Sequence, residues 1–395
     1  MKKKLALYLL VIGLILSTTS IHVLAEESSS NNRNDSPELA KDVKSAILIE
    51  RDTGKILFEK EAHEQLPPAS MVKIMTLLLV MEEIDKGNLK KDELISISEN
   101  AANMGGSQIF LEAGEEMTVD DLLKGIAIAS GNDASVALAE RVAGSEEAFV
   151  KKMNEKVQAL QLKNTKFQNA SGLPAKEQYS TAYDMARIAK ELLKYEDITN
   201  YTSIYEDYLR KGKENEFWLV NTNKLVRFYK GVDGLKTGYT NEAGYCLTST
   251  AKKQDMRVIS VVMGADTIKK RNATTSSMLD YAFNHFETKK LFDKGQIVTS
   301  IEMLKAENEK IDVVTSQSIS TISQKGEDVG KIKTTVHLDQ NFTLPLKKGD
   351  IVGELVISSG NKELSKTPLI VKEDVKEASY YTLFKRSLRK LSKSQ

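Results

Sequence analysis

Pro67-Pro68-Ala69-Ser70-Met71-Val72-Lys73-Ile74-Met75-Thr76-Leu77-Leu78-Leu79-Val80-Met81 is the stretch that decides how this chain is read. The two prolines stop the preceding segment, because neither has an N–H to donate. The run that follows is apolar on nearly every face. It predicts a buried helix over about 70–86, ended by Gly87. Ser70 opens that helix and Lys73 follows three residues later, a spacing that lays an ammonium beside a hydroxyl. The positive end of the helix dipole and its free N–H groups lie near Ser70, where they favour a developing oxyanion. A serine nucleophile needs a base, and no His is placed to serve. A Lys can serve if burial and a neighbouring cation depress its pKa.

On the N-terminal side, alternation over 45–50 and 55–60 across Asp52-Thr53-Gly54 predicts a hairpin. Beyond the central run, helices are expected at 118–129, 133–143, 146–160, 181–193 and 274–285. The pattern changes to strands over 231–250 and 257–263, with a turn at Lys252-Lys253-Gln254-Asp255. From 296 to 371 only short strand-like runs remain, such as 311–314, 331–338, 351–357 and 369–371, with Gly326, Gly349 and Gly360 at turns. They read as a small all-β domain with nothing catalytic in it.

Composition narrows the chemistry. The 395 residues hold 56 Lys plus Arg against 55 Asp plus Glu, one Cys and four His. A net charge of +1 makes no case for nucleic acid. One Cys excludes a disulfide framework, a Cys-rich zinc site and an iron–sulfur cluster. His63, His285, His337 and Trp218 suggest no site, and Cys246 reads as a small buried apolar side chain. No metal and no cofactor is expected.

The charge is a cancellation. Lys2, Lys3 and Lys4 precede an apolar stretch over 5–16 and the small residues of Val23-Leu24-Ala25, the pattern of a signal peptide over 1–25. Residues 26–37 read as a disordered leader. Residues 376–395 carry six basic groups against Glu377 alone. On a helical wheel Tyr380, Tyr381, Phe384, Leu388 and Leu391 share one face, and Lys385, Arg386, Arg389, Lys390 and Lys393 the other. That is a basic amphipathic helix suited to an anionic membrane surface.

Two further short motifs bear on the chemistry. Ser130-Gly131-Asn132 lies between two helical stretches, where its hydroxyl could relay a proton and its amide hold a carbonyl. Lys236-Thr237-Gly238 lies on a predicted strand, where Lys236 and Thr237 could bind a carboxylate and Gly238 lets a backbone approach. Neither the serine–lysine tetrad nor Ser-Gly-Asn is unique. The first recurs at Ser249–Lys252, Ser359–Lys362 and Ser387–Lys390, the second at Ser359-Gly360-Asn361. Read singly, they fit a helix cap, a loop turn and an edge strand; in this order and context they read as one site.

Together the three motifs resemble the Ser-x-x-Lys, Ser-Asp-Asn and Lys-Thr-Gly signature shared by class A β-lactamases and penicillin-binding proteins. More narrowly, the chain resembles the low-molecular-mass penicillin-binding proteins that are serine-type D-alanyl-D-alanine carboxypeptidases. The resemblance rests on 67–73, on Ser130-Gly131-Asn132-Asp133-Ala134, on Val232-Asp233-Gly234-Leu235-Lys236-Thr237-Gly238 and on Thr240-Asn241-Glu242-Ala243-Gly244-Tyr245. Asn169-Ala170-Ser171-Gly172-Leu173-Pro174 and Ser180-Thr181-Ala182-Tyr183-Asp184 fit it too. It implies an α/β (α+β) catalytic domain of the serine β-lactamase/transpeptidase kind over 38–287, an antiparallel sheet flanked by helices plus a helical subdomain. An all-β domain over 290–372 and a membrane-anchoring helix over 376–395 would follow.

The resemblance also implies roles. Ser70 attacks the bond between two D-alanines at the end of a peptidoglycan stem peptide, and Lys73 takes its proton. Ser130 passes a proton to the departing D-alanine. Asn132 holds the substrate backbone or orients Lys73, while Lys236 and Thr237 bind the terminal carboxylate. The N–H groups of Ser70 and Tyr239 form the oxyanion hole beside Gly238. β-Lactams follow the first half of this route and stall. Tyr239 stands where many relatives have His, and Tyr179 where His is also frequent. The exported enzyme is expected at the outer face of the cytoplasmic membrane.

Three alternatives compete. A class A β-lactamase needs a Glu-x-x-x-Asn loop, but between 160 and 190 the only Glu is Glu177, followed four residues on by Thr181. A D,D-endopeptidase cutting cross-links would have a similar site, and the tail and β domain favour the carboxypeptidase. Intact Ser70, Lys73, Ser130 and Lys236 argue against a catalytically weak peptidoglycan-binding scaffold.

Overall fold

The computed structural model describes residues 38–393 apart from 328, 329, 340, 341 and 361. The expected signal peptide and leader lie outside the described residues. The first hairpin forms as expected, with β1 (Ser45–Glu50) and β2 (Ile56–Lys60). A 3-10 turn (Ala69–Val72) leads into α1 (Lys73–Asp85), followed by α2 (Val119–Ala129), α3 (Asn132–Ala143), α4 (Glu146–Ala159) and α5 (Ala182–Leu192). Then come β3 (Val232–Thr240), β4 (Gly244–Lys253), β5 (Met256–Ala265) and α6 (Ile268–His285). The side chains of Thr118, Ser145, Thr181 and Thr267 cap the N-termini of α2, α4, α5 and α6.

The five long strands make one antiparallel sheet in the order β2-β1-β5-β4-β3, so β3 is an edge. Each face has its own core. Ile47 and Ile49 of β1 face α1 and the other helices of that side, while Ala46 and Leu48 face Met278, Leu279 and Ala282 of α6. A strand covered on both sides reads as an apolar run, as 45–50 does. Helix α1 is the hub of the first core; Ile74, Met75, Leu78 and Val80 are fully buried. Cutting Leu78 back to Ala would cost about 2–5 kcal/mol.

Two boundaries differ from expectation. The buried helix begins at Lys73, because Met71 N–H closes a tight turn on Pro68 O at 3.1 Å and sets Ser70 on that turn, ahead of the helix. Helix α6 begins at Ile268, because Thr267 caps a polar first turn that pattern alone reads as loop.

Strand β6 (Phe286–Phe292) leaves α6 directly. There follow β7 (Ile297–Glu302), β8 (Lys310–Thr315), β9 (Ile319–Gln324), β10 (Ile332–Leu338), β11 (Ile351–Ser359) and β12 (Lys362–Val371). Five make a sheet in the order β7-β8-β12-β11-β10, and β6 pairs with β9. The Asp52 carboxylate accepts from Ser320 Oγ at 2.5 Å, and Lys294 Nζ donates to Lys194 O at 2.7 Å, tying this β region to the first.

The chain continues into α7 (Tyr380–Lys393). Tyr380, Tyr381, Phe384 and Leu388 are exposed. The Arg386 guanidinium donates to the carbonyls of Leu304, Ala306 and Glu307 and pairs with Glu309 at 2.7 Å. One of the five cations of the basic face is therefore held by the β region.

Candidate active site

The site is built where the turn before α1, the α2–α3 junction and the edge strand β3 converge. Ala69 sits at φ 47 and Ser130 at φ 65, both in the left-handed region that L residues enter at a cost of about 1–2 kcal/mol. The surroundings hold both. A Cβ on Gly172 would lie 2.1 Å from Ala69 O, so only glycine lets that loop close over the turn. Ser130 is the C-cap of α2, and Gly131 N–H returns to Gly125 O at 3.0 Å.

Lys73 is fully buried. Its Nζ lies 3.2 Å from Ser70 Oγ, 2.6 Å from Asn132 Oδ1 and 2.5 Å from Ser171 O. Asn132 is fixed in turn, donating from Nδ2 to Gly105 O at 2.6 Å and from its backbone to Ser107 O at 2.7 Å. Of the two duties read for Asn132, orienting Lys73 is the one with a contact. The Asp133 carboxylate, just beyond, accepts from the backbone N–H groups of Ile109, Leu111 and Ala134 and pins the facing loop.

Lys236 on β3 is also buried, with Nζ 3.2 Å from Thr237 O. Thr237 Oγ1 meets Thr222 Oγ1 at 2.8 Å. A Cβ on Gly238 would come within 2.9 Å of Pro68 O and 3.2 Å of Ser70 N, so the strand edge is pressed against the serine turn. Tyr239 is half exposed, its ring stacked on Tyr245 at 4.3 Å and its hydroxyl 3.1 Å from Asn241 Oδ1.

Two buried lysines close enough to feel one another's charge have consequences. Burial first, then the charge of Lys236, holds Lys73 well below the usual lysine range, while Asp133 opposes this. Lys236 is itself pushed down to about 7, by burial and then by Arg271. Arg271 comes from the first turn of α6, outside the expected helix, and is buried with its guanidinium on Asn272 Oδ1.

All eight residues singled out in the sequence lie on these three converging elements. The sequence reading missed Ser171, whose backbone oxygen holds Lys73, and Arg271, whose charge acts on Lys236. The run 169–174 enters the sequence reading only through the family resemblance, because a carbonyl has no side-chain signature to read. Cys246, as expected, is a buried side chain, and burial pushes its thiol up to about 11.

Comparison with known proteins follows the same division of the chain. The family described as D-alanyl-D-alanine carboxypeptidase, peptidase S11, matches residues 31–267. The C-terminal domain of penicillin-binding protein 5 matches 286–377. The chain is 52% identical over 379 residues to the D-alanyl-D-alanine carboxypeptidase DacF of Bacillus subtilis, covering 96% of each. It is 34% identical over 347 residues to DacA of Escherichia coli, covering 86% of this chain and 85% of that one. Among solved structures, penicillin binding protein 5 from Haemophilus influenzae superposes with a TM-score of 0.65 at 31% identity, over 85% of this chain and 98% of that one. Penicillin-binding protein D2 from Listeria monocytogenes in its ampicillin-bound form gives a TM-score of 0.57 at 31% identity, over 62% of this chain and 100% of that one.

Proposed function

The chain belongs to the D-alanyl-D-alanine carboxypeptidase family, and from that premise we propose how its residues divide the work of a serine-type carboxypeptidase. The enzyme removes the terminal D-alanine of peptidoglycan stem pentapeptides through an acyl-enzyme, and β-lactams acylate it. One observation carries the assignment of roles: the buried Lys73 amine lies 3.2 Å from Ser70 Oγ with its other contacts already made. In its neutral form its two N–H bonds go to Asn132 Oδ1 and Ser171 O. The lone pair that remains faces the Ser70 hydroxyl.

Ser70 Oγ then attacks the carbonyl of the penultimate D-alanine and Lys73 takes its proton. The N–H groups of Ser70 and Tyr239 receive the oxyanion, on the tight turn ahead of α1 and on a strand edge. The C–N bond breaks as the proton passes by way of Ser130 to the departing amine. Lys236 and Thr237 hold the terminal carboxylate during this step. Water attacks the ester, releases the shortened peptide and restores Ser70. A β-lactam opens its ring on Ser70 and stays attached there.

Asn132 is a positioning residue in this scheme, acting through Lys73. Tyr239 takes part through its backbone, so its phenol in place of imidazole leaves the reaction intact. The tail supplies a place of work. Exposed Tyr380, Tyr381, Phe384 and Leu388, with basic groups close by, fit the headgroup region of an anionic membrane. No helix among the described residues is long and apolar enough to cross a bilayer. The protein is then exported and sits at the outer face of the cytoplasmic membrane through α7.

The decisive assay is release of D-alanine from diacetyl-Lys-D-Ala-D-Ala by the purified protein. Steady release is expected. No release, together with cleavage of cross-linked muropeptides, would make the enzyme an endopeptidase.

A further inference from the structure

The edge strand has a direction, and that direction says where the rest of a bound peptide goes. Along β3, Lys236 and Thr237 come first, Gly238 packs against Pro68 and Ser70, and Thr240 follows. With the terminal carboxylate at Lys236 and Thr237 and the reacting carbonyl at Ser70, the peptide runs antiparallel to β3. Each residue before the scissile bond advances about 3.3 Å toward Thr240. The third residue of a stem pentapeptide therefore comes level with Tyr239 and Thr240.

A groove of about 400 Å³ opens there, with Pro68, Ala69, Gly172, Lys176, Thr240 and Glu242 in its walls. Ala69 and Gly172 belong both to this groove and to the close contact at the serine turn, so the groove borders the site. Glu177 lines it too, but is bridged to Lys166 at 2.6 Å. Glu242 and Lys176 are exposed, and neither has a hydrogen-bond or ion-pair partner among the described residues. One unpaired anion and one unpaired cation in a single groove match a ligand that carries both charges.

We propose that this groove receives the side chain of the third stem residue and selects one that ends in ammonium and carboxylate on a single carbon, as meso-diaminopimelate does. Glu242 takes the ammonium and Lys176 the carboxylate. A lysine in that place satisfies Glu242 and leaves Lys176 without a partner. This inference rests on the peptide polarity set by the roles given to Ser70, Lys236 and Thr237.

The test compares D-alanine release from two pentapeptides that differ only in meso-diaminopimelate or lysine at position three. Wild type, Glu242→Gln and Lys176→Gln are each normalised to the fraction of sites that benzylpenicillin titrates. Wild type should favour the diaminopimelate peptide in kcat/KM by about fivefold, the scale of one exposed ion pair. Lys176→Gln should bring the two peptides within about twofold by slowing the diaminopimelate peptide alone. Glu242→Gln should slow both by about three- to fivefold. If wild type takes up no penicillin and releases no D-alanine, the catalytic reading falls. If it does both, yet treats the two peptides alike or prefers lysine, the groove inference falls alone.

Discussion

The tetrad Ser-x-x-Lys occurs four times in this chain, and the structure treats each copy differently. At Ser70–Lys73 the tetrad runs from a tight turn into a helix, and the amine reaches the hydroxyl inside the protein. At Ser249–Lys252 it lies within β4, where residues three apart project to opposite faces. Ser249 is buried and donates to Gly234 O at 3.0 Å, while Lys252 is exposed. At Ser359–Lys362 the two are register partners across a hairpin. Ser387 stands on α7, with helical spacing to Lys390 but exposed to solvent. Helical reach and burial together distinguish the first copy; the second has burial only and the fourth reach only.

Removing each hydroxyl in turn is the strongest way to break that comparison. Ser70→Ala is expected to abolish covalent labelling by penicillin and release of D-alanine. Ser249→Ala should label fully, because its hydroxyl only supports Gly234, whose carbonyl also accepts from Asn223 Nδ2 at 3.1 Å. Its loss should cost about 1 kcal/mol, a drop in Tm of about 2 °C by calorimetry. Labelling that survives Ser70→Ala would move the nucleophile elsewhere.

The cation next to the first copy is the next largest effect, and pH reads it. Lys73 accepts a proton only when neutral, so acylation rises with pH as Lys73 loses its own. Burial and the charge of Lys236 both lower its pKa, which lets this happen closer to neutrality. Lys236→Gln removes the second cause, so the acid limb of the acylation profile should move to higher pH. The variant also lacks the carboxylate's partner, and kcat/KM at neutral pH should fall by about 100-fold. In wild type, Lys236 near 7 should add an alkaline limb to kcat/KM as its charge is lost, and the variant should lack it. An acid limb that stays in place would mean burial alone sets Lys73.

These contrasts show what was legible beforehand. The strands, the buried hub and the three motifs could be read because their signals are local: apolar period, punctuating Pro and Gly, and side chains three residues apart; the sheet they form came only with the family resemblance. Ser171 and Arg271 could not be read. Ser171 acts through a backbone oxygen, which every residue has. Arg271 lies in the polar run Lys269-Lys270-Arg271-Asn272, whose helical state depends on the Thr267 cap and the packing of α6 on the sheet. Strand β6 was missed for a related reason. Phe286-Glu287-Thr288-Lys289-Lys290-Leu291-Phe292 is charged in the middle and becomes a strand by pairing with β9, a partner some thirty residues away.

The tail copy gives the smallest effect on chemistry and the sharpest test of place. Arg386 rivets α7 to the carbonyls of Leu304, Ala306 and Glu307, so the apolar face of the helix is held outward by a polar one. If α7 only anchors, removing residues 376–395 should leave the penicillin acylation rate within about twofold of the full chain. The same truncation should move the protein off vesicles containing anionic lipid, and the full chain should bind less as salt rises, since surface attraction is screened within about 10 Å at 0.1 M. A truncated protein that still sediments with the vesicles would place the membrane contact on another surface. A truncated protein that stays free but acylates many times more slowly would show that α7 supports the site through the β region as well as anchoring it.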